Sequence, residues 1–239
     1  MTANRFTVRD YVSTSEAARA LGVSDSSVKR WCDLGIIASA NTVGGHRRIQ
    51  VREIIRFVRK DKRAIVNSQL LGLPQRTGQR RYSSECSYDR VFRSLRAGDE
   101  DRFRRVAIDL FLSGWQMSAL FDEVLCPAFS AIGDLWHSGE LEIYEEHRSC
   151  ELCIRLLHEF RYLLTEPARS APLAVGASVY GDPYTLSGQM AELVFIEAGW
   201  RVKPLGHSIP IVSLTAAVEN LRPSVFWMTL SHIPDVALF

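Results

Sequence analysis

Between Ile132 and His147 the chain reads Ile-Gly-Asp-Leu-Trp-His-Ser-Gly-Glu-Leu-Glu-Ile-Tyr-Glu-Glu-His, which gathers Trp136, His137, Glu146 and His147 around one glycine-interrupted helix junction. Neutral imidazole is a good ligand for a transition metal, and a large flat apolar side chain can keep water away from whatever is bound beneath it. The plainer reading has Trp136 packing a helix corner, with Glu146 and His147 as solvated helix residues. A second group of residues suits different chemistry. Ser26, Ser27, Lys29 and Arg30 follow one another on a short polar stretch, and Gly44-Gly45-His46-Arg47-Arg48 follows soon after. Hydroxyls, ammonium and guanidinium groups are the side chains that reach phosphates and base edges of duplex DNA.

The elements that must position the basic group are legible locally. Ser13 and Glu16 have the spacing of a capping box ahead of an Ala-rich helix, and Gly22 ends that helix. Ser24 can cap a second helix from Asp25 to about Leu34, with Val28 and Trp31 at the spacing of a core face. Helix, tight turn and helix in that order form a helix-turn-helix, whose second helix enters the major groove. Two extended runs from Ile36 to Ile49, divided by Gly44-Gly45, predict a β-hairpin that presents His46, Arg47 and Arg48 to the phosphate backbone. A helix over about Val51–Lys60 follows, with Ile54, Ile55 and Val58 for packing. Trp31 has two readings, a core anchor or a phosphate contact. His46 reads as a surface residue near phosphate, since no nearby Cys or His completes a metal site.

The charge distribution agrees. Residues 1–82 contain 16 Lys and Arg against 6 Asp and Glu, net +10, and the remaining residues contain 13 against 21, net −8. A basic head on an acidic body is the footprint of a nucleic-acid-binding module joined to something else. At 239 residues and 46% hydrophobic, two or three modules are expected. There is no apolar run of membrane-spanning length and no apolar signal core at the N-terminus, which predicts a soluble cytoplasmic, nucleoid-associated protein. Five cysteines are an odd number for a disulfide framework, and Cys150 and Cys153 read as small buried hydrophobes.

Ser27-Val-Lys-Arg-Trp31, Leu34-Gly-Ile-Ile37 and Thr42-Val-Gly-Gly-His-Arg-Arg48 together resemble the winged-helix DNA-binding domain of MerR-type transcription regulators, over about residues 7–62. The resemblance implies that Lys29 and Arg30 contact the major groove or phosphates and that Arg47 and Arg48 are wing contacts. Ser26, Ser27, Trp31, Thr42 and His46 complete the expected DNA face. Residues 63–86 lose amphipathic period and gain Gly, Pro, Gln and Ser, which predicts a mobile linker that lets the head move relative to the body.

From 87 to 166 the apolar spacing predicts four antiparallel helices with short connections, a four-helix bundle. Pro127-Ala-Phe-Ser-Ala-Ile-Gly133, Trp136, Gly139-Glu-Leu141 and Glu146-His147, with nine residues between Trp136 and Glu146, resemble the helical cap of light-dependent, cobalamin-binding MerR-type repressors. The resemblance implies that Trp136 covers the upper ligand of adenosylcobalamin, that Glu146 and His147 lie beside it, and that His137 is available to take cobalt. His158 is read as incidental.

From 171 to 239, strand-like runs at Leu173–Tyr180, Trp200–Leu205 and Val225–Leu230 alternate with helices at Gln189–Ala198 and Ile211–Leu221, which predicts a doubly wound α/β unit. It resembles a Rossmann-like cobalamin-binding domain, with two departures. Asp182-Pro-Tyr-Thr-Leu-Ser187 places Tyr184 where the family carries the histidine that binds cobalt from below, and the sequence stops at Phe239 where the family continues. Asp182 and Tyr184 are nonetheless the lower-face candidates. The fold expected is therefore mainly α and multidomain: a winged helix-turn-helix, a four-helix bundle and a partial Rossmann-like domain.

The function expected is a non-enzymatic regulator, a repressor that binds double-stranded operator DNA as a dimer or tetramer, with a module for corrinoid, light or B12 sensing. Two alternatives stand beside it. One is a cobalamin-independent repressor whose body only oligomerises or binds an antirepressor protein; the other is a corrinoid carrier of a methyltransferase or mutase system.

Overall fold

The computed structural model describes residues 9–78 and 84–231, in two compact units that divide between Leu163 and Leu164. Among the described residues no helix is long and apolar enough to cross a membrane.

The first unit opens with β1 (Tyr11–Ser13), α1 (Thr14–Leu21) and α2 (Asp25–Asp33), then β2 (Ala40–Asn41), β3 (Arg47–Gln50) and α3 (Val51–Asp61). The capping box forms as the spacing predicts: Ser13 Oγ accepts from Glu16 N, and Glu16 Oε2 accepts from Ser13 N. Gly22 turns the chain at φ +67°, and a Cβ there would lie 2.7 Å from Val66 Cγ2. A left-handed conformation and close approach together call for glycine. The three strands form an antiparallel sheet in the order β1-β3-β2, which pairs Val12 with Ile49 and Asn41 with Arg47. Val12, Ala17, Val28, Ile37, Ile49, Ile54 and Val58 make its core.

The stretch expected to be a mobile linker packs instead, as far as it is described. Val66 N and Asn67 N both donate to Ala20 O, Ser68–Leu71 forms a 3-10 turn, and Gly78 N donates to Asp109 Oδ1 at 2.6 Å. Ile65, Leu71 and Leu73 are buried. The Gly, Pro and Gln content hides three apolar anchors too widely spaced for a helical period. Residues 79–83 of that expected linker lie outside the described residues. The expected freedom of the head is corrected with it, because α3 packs on the helices that follow.

Those helices are α4 (Ser84–Ala97), α5 (Glu100–Leu112), α6 (Met117–Leu120), α7 (Cys126–His137) and α8 (Ile143–Leu163). Between α6 and α7 runs a π-helical segment, Phe121–Leu125, in which Cys126 N bonds Phe121 O. Pro127 follows directly; its missing N–H and its ring bulk are accommodated where the helical ladder widens. α4 contacts α5, α7 and α8, and α3 contacts α5 and α8, so head and helical body share one unit. Arg104 in α5 makes two hydrogen bonds to Glu159 in α8, both side chains only 10% exposed, beside a cavity of about 370 Å³ floored by Phe103, Leu152 and Leu156.

The second unit alternates β4 (Leu173–Ser178), α9 (Leu186–Glu197), β5 (Arg201–Pro204), α10 (Ile211–Leu221) and β6 (Val225–Thr229). The strands form a parallel sheet, β5-β4-β6, with β4 central and buried at Ala174, Val175 and Ala177. The Trp227 ring lies across Gly176 and is tilted against Phe195 of α9 at 4.9 Å between centroids.

Candidate nucleic-acid interface and helix-junction site

The basic residues of the head surround a concavity of about 720 Å³ between the first turn of α1, α2 and the β2–β3 hairpin, lined among others by Lys29, Asp33, His46, Arg47 and Arg48. α2 is held in place by its cap, Ser24 Oγ accepting from Ser27 N, and Ser24 Oγ also bonds the hydroxyls of Ser26 and Ser27. Those two serines therefore brace the helix start as well as facing outward. Lys29 pairs with Asp25 at 2.7 Å, and that bond together with one from Thr14 holds the Asp25 carboxyl below its ordinary range. Arg30 and Arg48 are exposed.

Thr42 shapes the hairpin turn. Its Oγ1 accepts from His46 N at 3.1 Å, its backbone N donates to His46 O, and Gly45 adopts φ +76°. Trp31 is half-buried and packs on Phe57 at 4.8 Å, with the Arg63 guanidinium over both rings. Of the two readings for Trp31, the geometry carries the packing one. Arg47 is bonded within the protein, Nη2 to Asp33 Oδ1 at 2.8 Å and Nη1 to Lys29 O at 3.2 Å. Sequence reasoning missed Asp33 and Arg63, since the partners that matter here, Arg47 for Asp33 and the Trp31 and Phe57 rings for Arg63, stand at no helical or strand spacing.

At the helix junction, α7 ends at His137 and Gly139 turns the chain at φ +76°. Trp136 is 43% exposed and meets the His137 ring edge-on at 4.8 Å, while His137 Nδ1 lies 3.3 Å from Gly133 O. On the first turns of α8, Glu146 Oε1 accepts from Cys150 Sγ, and Glu146 Oε2 lies 3.6 Å from the exposed His147 Nε2. Burial and the neighbouring Glu146 carboxylate push the Cys150 thiol up to about 12, and burial raises Cys153 as well. Both thiols stay protonated and act as packing groups. Trp136, Ile143 and Tyr144 are all exposed at this junction. Among the described residues no cluster of three or more His, Cys, Asp or Glu side chains is placed to hold a metal by itself.

The two lower-face candidates have different fates. Asp182 is fully buried and its carboxylate is engaged by backbone: Oδ1 accepts from Tyr184 N at 3.0 Å and Oδ2 from Ser231 N at 2.7 Å. Asp182 is thus a clamp between the β4 and β6 loops, a correction to its reading as a cofactor contact. Tyr184 is exposed at the rim of a cavity of about 140 Å³ whose walls include Gln189, Trp227 and Thr229. Gln189 Oε1, Trp227 Nε1 and Thr229 Oγ1 are buried there without hydrogen-bond partners. Unpaired buried polar atoms mark room for a polar guest, but a phenol is no nitrogen donor to a metal. At the junction of the first unit the exposed Trp136 indole and the His137 and His147 imidazoles are groups whose chemistry suits a corrinoid, whereas Tyr184 of the second unit supplies no nitrogen donor.

Comparison with known proteins follows the same division. Residues 11–62 match the helix-turn-helix domain model, and residues 88–159 match the B12 binding domain model. The chain is 28% identical over 145 residues to the HTH-type transcriptional repressor CarH of Myxococcus xanthus, a match that covers 59% of this chain and 46% of that protein. It thus spans less than half of the curated relative. The monomethylamine corrinoid protein of Methanosarcina barkeri shares the fold, with a TM-score of 0.51 and 12% identity over 62% of this chain and 72% of that one. The chain accordingly carries a helix-turn-helix domain and a B12 binding domain joined in one polypeptide.

Proposed function

We propose that the chain is a sequence-specific DNA-binding transcription regulator, a repressor, whose helical body binds a corrinoid. The observation that carries this reading is the basic concavity of α2 and the β2–β3 hairpin, in the same compact unit as the helical body. In this reading α2 is the recognition helix and enters the major groove, and the hairpin is a wing along the backbone, with Lys29, Arg30, His46 and Arg48 as the groups that face DNA. One short recognition helix reads few bases, so the functional species is a dimer or tetramer on a two-fold operator. α4, α5, the α6–α7 helix and α8 form a four-helix cap, and the second unit is a Rossmann-like domain.

Trp136, His137, Glu146 and His147 would hold the corrinoid, adenosylcobalamin, from above. Bound adenosylcobalamin supplies a light-sensitive cobalt–carbon bond. Trp136 would exclude water from it, and His137 and His147 would offer nitrogen donors beside it. Selection of the full chain on random duplexes, followed by absorbance after adenosylcobalamin loading and desalting, tests both halves. Retained corrinoid absorbance lost in Trp136→Ala is the expected result. A colourless protein that selects a duplex ends the corrinoid half and leaves a cobalamin-independent repressor, the reading favoured by Tyr184 and by the engaged carboxylate of Asp182. A protein that retains corrinoid and selects no duplex would instead be a corrinoid carrier.

A further inference from the structure

The resemblance assigns Arg47 to phosphate, yet its guanidinium is bound at both ends inside the head. One terminal nitrogen meets Asp33 Oδ1 at 2.8 Å and the other donates to the Lys29 carbonyl at 3.2 Å, and the side chain is only 29% exposed. Asp33 is the last residue of α2 and Arg47 the first of β3, so one side chain joins the end of the helix to the hairpin. An acidic residue at a helix C-terminus faces the negative end of the helix dipole, where a cation is preferred. Arg47 provides that cation: it neutralises Asp33 and at once bonds the Lys29 carbonyl, one turn before Asp33. The planar fork of arginine makes this two-sided attachment, and a lysine ammonium does not reproduce it. The bond to Asp33 also raises the Arg47 guanidinium above its ordinary value.

We infer that Arg47 is a positioning residue, which acts on DNA by latching the hairpin to the C-terminal end of α2 through Asp33 and the Lys29 carbonyl. The inference rests on the DNA-binding reading. In it, Arg48 carries phosphate charge, whereas Arg47 sets the angle at which helix and hairpin meet the duplex. Asp33, an acid in a basic concavity, then favours DNA binding despite its charge.

The test uses the full chain on its selected duplex, with affinity measured across salt concentrations for wild type, Asp33→Asn, Arg47→Gln, Arg47→Lys, Arg48→Gln and the Asp33→Asn/Arg47→Gln double variant. Expected are about tenfold losses for Asp33→Asn and for Arg47→Gln, no further loss in the double variant, and no rescue by Arg47→Lys. Arg48→Gln lowers the slope of log affinity against log salt by about 1, and Arg47→Gln leaves it unchanged. Tighter binding by Asp33→Asn, a slope lowered by about 1 in Arg47→Gln, or rescue by Arg47→Lys would overturn the latch and make Arg47 an ordinary phosphate contact. Hydrogen exchange at the Thr42 amide of the free protein separates this from the DNA reading, because faster exchange in Asp33→Asn and Arg47→Gln is expected whether or not DNA binds. Unchanged exchange refutes the latch.

Discussion

The guanidinium of Arg59, in the last turn of α3, lies over the ring of Phe111 in α5, with Cζ 3.9 Å from the ring centroid, and Nη2 donates to the carbonyl of Trp115 at 2.8 Å. Phe111 in turn packs against Phe160 of α8 at 5.3 Å. A residue of the DNA-binding head is thereby seated on two helices of the body. A cation–π contact and a charged hydrogen bond are each worth about 1–2 kcal/mol where partly desolvated. Arg59→Ala should lower the unfolding free energy of the first unit by about 2 kcal/mol, and Arg59→Lys should recover little, since an ammonium cannot lie flat on the ring while bonding Trp115. Denaturation followed by tryptophan fluorescence measures this; an unchanged midpoint would show that the contact couples nothing.

Glu16 provides a pH-dependent signal in the head. The backbone N–H of Ser13 and the bond from Arg9 hold its carboxyl down at about 2, below the ordinary 4.5. A carboxyl depressed in the folded state contributes stability above its unfolded value and loses it as pH falls through the folded one. The stability difference between wild type and Glu16→Gln should therefore be full near pH 7, about 1 kcal/mol for a cap of this kind. It should shrink between about pH 5 and pH 2, the interval set by the displaced carboxyl. Urea titrations at several pH values check it, and a difference that grows on acidification would contradict the capping assignment.

The Arg104–Glu159 pair bridges α5 and α8 with both side chains nine-tenths buried. Removing one partner leaves a buried charge without its counter-ion, so Arg104→Met or Glu159→Leu alone should destabilise by about 3–5 kcal/mol. The double variant Arg104→Met/Glu159→Leu should be milder than either single change, because no uncompensated charge remains. A thermal-unfolding cycle of the four proteins measures the coupling; additive effects would mean that the pair acts as two independent solvated ions.

Gly176 and Trp227 make a prediction confined to the second unit. A Cβ on residue 176 would fall 1.9 Å from the indole ring, which also packs against Phe195. Gly176→Ala should destabilise this unit by about 3 kcal/mol, the upper range for overpacking. Adding Trp227→Leu should restore part of it by vacating the space. Equal stability of wild type and Gly176→Ala would mean that the ring moves freely away from the sheet.

Much of the architecture was legible because it depends on residues a few positions apart. Ser13 with Glu16, Ser24 with Ser27 and Gly22 after α1 act over a few residues, and periodicity marks the helices and parallel strands. These local signals suffice to read a basic head, a helical body and an α/β unit in that order. Which charges stay available to a ligand is a different matter, decided by packing between distant segments. Asp182 reaches Ser231 across 49 positions, Arg59 reaches Trp115 across 56, and Arg47 reaches Lys29 across 18. Such partners leave no periodic trace, since any exposed acid or carbonyl at the right height on a neighbouring element can serve. The residues between 63 and 78 show the same limit: a Gly- and Pro-containing composition favours a loop, and only the apolar sites offered by neighbouring elements determine whether that loop packs. That Asp182 clamps two loops and that Arg47 bonds Asp33 at the end of α2 follows only from how distant segments pack.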